Sequence, residues 1–285
     1  MRISVTGADG FLGGHLCRAF LARGWQVIGL VRNPDRKRLM PGVTYRNYVF
    51  PAELSHTDDV ELVVHCAFAM QAVDAKRYAV NREAAAFLRS RFPAARMLFI
   101  SSMSAHEGAE SLYGREKLYI ESTLDGGRDA WIRPGFMIGD GGVFKNLVGS
   151  IRKLPVIPLF YGGMQPIQTV HVEDLTACVG SIIERQHCGL VRYGEEQPVL
   201  LRDFYSAIAA RLGVTRPLIP LPGGMALAGL RIAESLGLRL PMTSQNLLGL
   251  KHLVRVDVAS DVARLRLPQA RSMQESLATV DWRSL

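Results

Sequence analysis

Apolar residues along the start of the chain change their spacing in a regular order. Residues 3–5 form a short β-prone run, and Leu12, Leu16 and Phe20 then recur at helical spacing. Residues 25–31 are a second apolar run with the composition of a strand. The pattern predicts a strand, a turn, a helix and a second strand within the first 31 residues.

The alternation of strand and helix patterns continues to about residue 135. Further strands are predicted at 43–45, 60–67, 96–100 and 130–133, with helices at 78–92 and 112–123. The run 60–67 is almost continuously apolar, as buried parallel strands are. Repeated strand–helix–strand units predict an α/β fold built on a doubly wound parallel sheet of the Rossmann type.

The second half of the chain lacks this regular alternation of strands and helices. Prolines and Gly-Gly pairs interrupt it, while helices are predicted at 173–186, 201–212 and 225–236. We expect a dinucleotide-binding domain from residues 1–135 and about 165–193. A smaller α/β substrate-binding lobe would come from about 136–164 and 194–285.

Composition favours a soluble globular protein, with 48% hydrophobic and 21% charged residues among 285. The most apolar late stretch, residues 223–240, is interrupted by Arg231, Glu234 and Arg239, so it is not a membrane span. The first strand starts at residue 3, which argues against a secretory signal. We therefore expect a cytoplasmic protein with no membrane partner.

The cysteines, the histidines and the distribution of charge argue against two functions, metal binding and nucleic-acid binding. The four cysteines include no C-x-x-C pair, and the seven histidines show no ligand spacing, so no metal site is predicted. The formal charge of +8 is dispersed except for a cluster at Arg32 and 36–38. Without a nucleic-acid-binding motif, this favours a solvated basic surface over nucleic-acid binding.

The turn after the first strand carries glycines at every third position: Gly7, Gly10 and Gly13. Between a strand and a helix this spacing is typical of a dinucleotide site, because it permits a tight turn, a close pyrophosphate and close helix packing. The alternative is a glycine turn without a ligand. The residues predicted to bind the cofactor here are Gly7, Asp9, Gly10, Phe11, Leu12 and Gly13.

The end of the second strand bears on which cofactor is used. An acidic residue there normally binds the ribose 2′-hydroxyl of NAD, but this chain has Arg32 and no carboxylate until Asp35. A guanidinium can pair with a 2′-phosphate, so NADP(H) is favoured. NAD(H) stays open, with Asp35 as its ligand.

Tyr113 and Lys117 are four residues apart in the predicted helix 112–123, so both project from one face. A nearby ammonium lowers the pKa of a phenol, which fits the tyrosine to pass a proton while hydride moves. The Y-x-x-x-K spacing is common by chance. Its position, after the strand that ends in Ser101-Ser102, makes it informative.

In these motifs the chain resembles the extended short-chain dehydrogenase/reductase family, also described as NAD-dependent epimerase/dehydratase-like. The matching segments are 6–13, 65–67, Asn81, 101–104, 113–117, 133–135 and 170–175. They follow the family order over about the first 175 residues. The remaining residues match in general character only.

The resemblance implies roles for individual residues. Tyr113 would be the acid/base, Lys117 would orient the nicotinamide ribose, and Ser102 would hydrogen-bond the substrate oxygen, with Ser104 as a substitute. Both Tyr113 and Lys117 would also contact the cofactor. Ala67, Pro134 and Gly135 would line the cofactor site, whereas a structural role is favoured for Asn81.

The substrate site is less defined. We expect it to include Phe136, Met137, Phe144 and Gln168, with parts of 194–250. For the segment 170–175, which contains His171, Glu173 and Asp174, a structural role is favoured over catalysis. His106 is expected to be an exposed loop residue.

Three functions remain open. The favoured one is an NADP(H)-dependent enzyme that interconverts a secondary alcohol and a ketone. A sugar-nucleotide epimerase with retained NAD would need the same Tyr113 and Lys117, and a non-catalytic cofactor-binding subunit is the alternative of another class. A dehydratase is disfavoured because Met103-Ser104 cannot supply its acid and base. The partner is a small-molecule substrate, and the family resemblance leaves a homodimer through helix 112–123 open.

Overall fold

The computed structural model describes residues 1–35, 39–49, 54, 59–69, 75–238 and 242–285. The basic cluster at 36–38 lies outside this range, so the structure does not bear on it.

Strands and helices alternate through the described part of the first half, as the apolar spacing predicts. The strands are β1 (Arg2–Thr6), β2 (Gln26–Val31), β3 (Val43–Asn47), β4 (Leu62–His65), β5 (Arg96–Ile100), β6 (Ala130–Pro134), β7 (Phe136–Ile138), β8 (Ile157–Phe160), β9 (Pro166–Ile167), β10 (Thr169–His171), β11 (Gly189–Tyr193), β12 (Val199–Leu200) and β13 (Leu218–Leu221). The helices are α1 (Phe11–Ala22), α2 (Ala75–Arg91), α3 (Leu112–Ser122), α4 (Gly142–Lys153), α5 (Val172–Glu184), α6 (Leu201–Arg211), α7 (Gly223–Ser235), α8 (Ser244–Lys251), α9 (Ala259–Leu265) and α10 (Met273–Thr279).

Seven strands form one sheet in the order β11-β6-β5-β4-β1-β2-β3. The neighbours from β6 to β3 pair in parallel, with Ile3 of β1 opposite Val27 on one side and Leu62 on the other. Strand order reverses between β1 and β4, and parallel α/β sheets bind ligands at the carboxyl end of such a switch point. The predicted doubly wound parallel sheet is confirmed.

The described chain divides into two compact units. Unit 1 contains residues 1–102, 116–133 and 172–191, and unit 2 contains 103–115, 134–171 and 192–285. The sequence-based division instead grouped 103–115 and 165–171 with the first domain. That these units bind dinucleotide and substrate, respectively, stays a prediction.

Each unit has its own apolar core. In unit 1, residues such as Ile28, Val63 and Leu88 pack between the sheet and its helices. In unit 2, Phe144, Phe204 and Leu277 belong to a cluster contributed by α4, α6 and α10. Helix α4 is a missed element: its apolar residues at 144, 147, 148 and 151 have helical spacing, but the Gly141-Gly142 pair suggested only a turn.

Candidate functional site

The glycine turn joins β1 to α1 in unit 1 by close backbone contacts. Gly7 has φ +65°, a conformation that residues with a Cβ rarely adopt, and its carbonyl accepts the Gly10 N–H at 2.9 Å. A Cβ on Gly13 would overlap the same carbonyl oxygen. Gly7 and Gly13 are therefore required by the backbone path itself.

Helix α1 begins without any side-chain cap. Gly10 is its N-cap residue, so no cap side chain binds the first N–H groups, and its first turn contains no acidic residue. Asp9 and Gly10 are exposed, Phe11 is half-buried, and Leu12 is buried in the core. Uncapped N–H groups and the positive end of the helix dipole fit a phosphate.

Thr6 ties the carboxyl ends of β1 and β4 together. Its Oγ1 accepts the N–H groups of Cys66 and Ala67, each at 3.0 Å, and lies 2.9 Å from Nδ1 of His65. Burial, followed by the charge of Lys117, lowers the pKa of His65 to about 3, so its imidazole is neutral at neutral pH. These bonds hold Ala67 beside the glycine turn, where a Cβ on Gly7 would lie 3.4 Å from it.

Asn81 stabilises the loop that follows β4. Its Oδ1 accepts the Ala69 N–H at 2.8 Å and its Nδ2 donates to the Ala69 carbonyl at 3.5 Å. The Asn81 side chain is buried in α2. This pairing supports the structural role favoured for Asn81.

Lys117 lies inside unit 1 instead of on its surface. Its Nζ donates to the carbonyl of Ile100, the last residue of β5, at 2.6 Å, and stands 4.1 Å and 4.5 Å from the ring centroids of Phe68 and Phe99. Burial lowers the pKa of Lys117 to about 7, while the charges of Cys66 and Glu121 oppose that shift. The ammonium is thus held at the end of a central strand in a state that can lose its proton near neutral pH.

A buried carboxylate next to Lys117 organises the same strand end. Glu121 accepts a short hydrogen bond from the Ser101 hydroxyl, and Arg133 binds both Glu121 oxygens, with Nη2–Oε2 at 2.5 Å. Ser101 is thereby occupied inside unit 1, whereas the role of Ser102 toward a substrate stays a prediction. Sequence patterns did not indicate this role for Glu121 and Arg133, although Glu121 stands four residues after Lys117 on α3.

Unit 2 contains the start of α3 and the segment that precedes it. Tyr113 and Ser104 are both half-buried. A Cβ on Gly114 would overlap the Ser104 carbonyl oxygen, so this glycine lets the first turn of α3 pack against residues 103–105. Gln245 fixes the same turn by accepting the Leu112 N–H at 2.8 Å.

Pro134 is the last residue of β6, and Gly135 joins it directly to β7. The Gly135 N–H donates to the Tyr193 carbonyl at 2.9 Å. A Cβ at Gly135 would lie 2.5 Å from the Gln168 carbonyl oxygen, which itself accepts the Phe136 N–H at 2.8 Å. The backbone of unit 2 therefore requires a glycine at this position.

The predicted substrate residues differ in their environments. Phe144 is fully buried, with its ring 6.4 Å from Phe204 and 6.0 Å from Trp282, and Phe136 meets Phe204 edge-on at 5.5 Å. Met137 is half-buried in β7. Phe144 is a core residue of unit 2, so we no longer assign it to the substrate.

Gln168 is also used inside unit 2. Its Nε2 donates to the carbonyls of Glu195 and Val256, each at 3.0 Å, and its Oε1 accepts the Val256 N–H at 2.7 Å. The amide is buried and both of its ends are bonded. Gln168 therefore has a structural role within unit 2. Like Phe144, it is not a substrate-binding residue.

The histidines outside the motif core have structural contacts. His171 is buried, with Nδ1 3.2 Å from Arg271 and Nε2 3.2 Å from Thr279. His106 is half-buried and its Nε2 lies 3.0 Å from the His252 carbonyl, so it is less exposed than expected. Glu173 and Asp174 stand in the first turn of α5, where carboxylates interact favourably with the helix dipole.

The sequence profile of the NAD dependent epimerase/dehydratase family matches residues 3–189. This range covers the glycine turn, Ala67, the β5 serines and the Tyr113–Lys117 pair. The chain belongs to this family. The resemblance inferred from the motifs is confirmed, and with it an NAD(P)-binding fold of the extended short-chain dehydrogenase/reductase type.

The individual proteins that resemble this chain have low sequence identity to it. "Ceramide reductase" of Caulobacter vibrioides is 28% identical over 249 residues, which cover 80% of this chain and 76% of the relative. Human epimerase family protein SDR39U1, solved with NADPH, superposes with a TM-score of 0.73 at 18% identity, covering 98% of this chain and all of that one. UDP-glucose 4-epimerase from Thermotoga maritima gives 0.70 at 18%, covering 97% and 96%.

The end of β2 is where family members differ in cofactor. Arg32 is exposed, and its carbonyl accepts a hydrogen bond from Asn47 at 3.3 Å. Asp35 is also exposed, and its N–H binds the Asn33 side chain. Structures with NADPH and with NAD both occur among the similar folds, so the family indicates NAD(P) without choosing between them.

Two further features concern the described residues as a whole. No group of three or more His, Cys, Asp or Glu side chains among them could hold a metal ion. Within the described helices, none is long and apolar enough to cross a membrane.

Proposed function

We propose that this protein is an NADP(H)-dependent oxidoreductase that interconverts a secondary alcohol and a ketone. The observation that carries the proposal is Lys117, whose buried amine binds the Ile100 carbonyl at the end of β5 one helical turn after Tyr113. The bound cofactor would give or accept the hydride. Tyr113 would give or accept the proton of the substrate oxygen.

The cofactor would be held by the first turn of unit 1. The uncapped start of α1 fits its pyrophosphate, since its N-cap residue, Gly10, has no side chain to bind those N–H groups. The residues proposed to contact it there are Gly7, Asp9, Gly10, Phe11, Leu12, Gly13, Arg32 and Ala67. Pro134, Gly135, Tyr113 and Lys117 complete the proposed set.

Lys117 would serve the reaction in two ways. A cationic amine lowers the pKa of a neighbouring phenol, which favours proton transfer by Tyr113 near neutral pH. The same amine can bind the ribose hydroxyls of the cofactor. Ser102, with Ser104 as the substitute, would hydrogen-bond the substrate oxygen and stabilise its developing charge.

Net reduction is favoured over epimerisation by two observations. The curated relative is a reductase by name, and Arg32 is better suited to a 2′-phosphate than to the hydroxyl of NAD. The epimerase alternative draws on the similarity to UDP-glucose 4-epimerase. An epimerase would retain NAD through purification, whereas the proposed enzyme would release and exchange NADP(H).

The acid/base role is tested by Tyr113→Phe. We expect turnover to fall by at least about 100-fold, since general acid–base catalysis contributes about that much, while cofactor affinity is retained. Tyr119→Phe is the matched control, because Tyr119 is exposed on the same helix with Arg82 over its ring. The assay follows NADPH oxidation with a panel of ketones that includes the ketone form of ceramide. Equal rates for Tyr113→Phe and the control would reject the mechanism.

The cofactor preference is tested by Arg32→Asp. The change should weaken NADPH binding by about tenfold or more and leave NADH binding nearly unchanged, because only NADPH carries the 2′-phosphate. Arg18→Asp, an exposed arginine on α1, controls for the altered net charge. Dissociation constants from fluorescence titration decide the outcome, and equal losses for both cofactors would overturn the assignment.

A further inference from the structure

Helix α7 exposes an apolar face. Met225, Ile232 and Leu236, just past its end, are 75%, 61% and 71% exposed, although large apolar residues normally face a core. Ala228 and Gly229 are exposed between them. These five residues recur at i, i+3, i+4, i+7 and i+11, so they form one stripe, the α7 outer face.

The opposite side of α7 is already used within unit 2. Gly223 is buried and Leu227 and Leu230 are half-buried. Glu234 accepts the Ser244 N–H at 2.6 Å and its hydroxyl at 2.7 Å, which joins α7 to the first residue of α8. The helix is therefore attached to unit 2 through its polar and half-buried side, and the apolar stripe faces solvent.

The charged residues of α7 are Arg231 and Glu234. Glu234 is bonded to Ser244 on the inner side, whereas Arg231 is exposed beside the stripe. An apolar face with an exposed arginine on its flank is complementary to an anionic lipid surface.

The size of the face argues against a second copy of the chain as its occupant. A helix of 13 residues offers a strip of roughly 20 Å by 10 Å, whereas a stable interface needs about 800 Å² from each partner. A single amphipathic helix is enough, by contrast, to bind a bilayer surface when it lies in the plane of the headgroups.

We propose that the α7 outer face docks this protein on the surface of an anionic lipid bilayer, with Met225, Ile232 and Leu236 inserted at the headgroup boundary and Arg231 among the lipid phosphates. The helix lies on the membrane and does not span it. This revises the sequence-based expectation of no membrane partner. The proposal goes beyond the oxidoreductase activity and does not depend on it.

The test is co-sedimentation of the full chain with vesicles, without cofactor or substrate. Vesicles that mix phosphatidylcholine with phosphatidylglycerol should bind the protein more tightly than pure phosphatidylcholine. Ile232→Glu should weaken that binding by at least about tenfold, because it puts a carboxylate into the apolar stripe. Arg231→Gln should weaken it by about fivefold.

Val143→Glu is the matched control, since Val143 is 48% exposed on α4 and the substitution changes the charge equally. Circular dichroism and thermal unfolding establish that all variants are folded. Binding retained by Val143→Glu and lost by Ile232→Glu supports the proposal. Absence of vesicle binding, equal binding of the two glutamate variants, or equal binding to neutral vesicles would overturn it. So would a lipid-free dimer that Ile232→Glu dissociates.

Discussion

Lys117 is a buried amine whose pKa has consequences for stability. Burial lowers its pKa in the folded protein to about 7, from an ordinary value of 10.5. At pH values between these two pKa values, the unfolded chain binds more protons than the folded one. The free energy of unfolding therefore rises as the pH increases through this range. The stabilisation is absent below about pH 7, where the buried amine must be charged.

The corresponding prediction compares wild-type protein with Lys117→Met. From pH 7 to pH 9 the wild type should gain about 2 kcal/mol in free energy of unfolding relative to the variant, which lacks the titrating amine. Urea unfolding of cofactor-free protein at several pH values measures the difference. Lys153→Met, at an exposed lysine of α4, should show no such trend. A flat difference for Lys117→Met would mean that the amine keeps its ordinary pKa.

At the scale of secondary-structure elements, Glu195 connects parts of unit 2 that are far apart in sequence. One oxygen accepts the N–H and the hydroxyl of Thr169 in β10, each at 2.9 Å, and the other accepts the N–H of Met273, the first residue of α10, at 2.9 Å. Glu195 is buried, and this burial raises its pKa above the usual range. One carboxylate thus satisfies three donors.

Glu195→Ala should therefore destabilise unit 2. Removing both oxygens leaves three buried donors without their acceptor, which we expect to cost about 3 kcal/mol. Glu196→Ala, at the exposed neighbouring carboxylate, should change the free energy of unfolding by less than about 0.5 kcal/mol. Denaturant unfolding of the two variants makes the comparison, and similar stabilities would show that these bonds contribute little.

At the scale of the whole molecule, all four cysteines belong to unit 1 and are free thiols. Cys17 and Cys178 are buried, and burial raises the pKa of Cys17 to about 12 and that of Cys178 still further. Cys66 and Cys188 are both half-buried residues, and burial of its thiol likewise raises the pKa of Cys66. Their reactivity can therefore report the opening of unit 1.

We predict that an alkylating reagent modifies Cys188 first in the native protein, because a thiolate must form and be reachable. Cys17, Cys66 and Cys178 should react only as fast as unit 1 opens, and together once urea unfolds it. Peptide mass spectrometry after timed alkylation gives the four rates. Rapid native labelling of Cys17 would contradict the packing of α1 against the sheet.

The sequence was sufficient for features that depend on local backbone. It placed Gly7 and Gly13 in a tight turn that excludes a Cβ, and Tyr113 and Lys117 one turn apart on a helix, whereas their roles in binding and catalysis stay predictions. The period of the apolar residues also separated parallel strands from helices. Each of these relations is set within a few residues of chain, so no tertiary information is needed.

The tertiary structure decided which faces are covered and which polar groups are paired. Phe144 and Gln168 are residue types that often line pockets. In the structure, however, Phe144 packs against Trp282 and Gln168 is hydrogen-bonded to Val256, both of which are distant in sequence. Glu121 is held in place by hydrogen bonds with Ser101 and Arg133. The apolar stripe of α7 is exposed because Glu234 attaches the opposite side of the helix to α8. Burial and hydrogen bonding depend on residues that meet only after folding, and spacing along the chain does not encode those encounters.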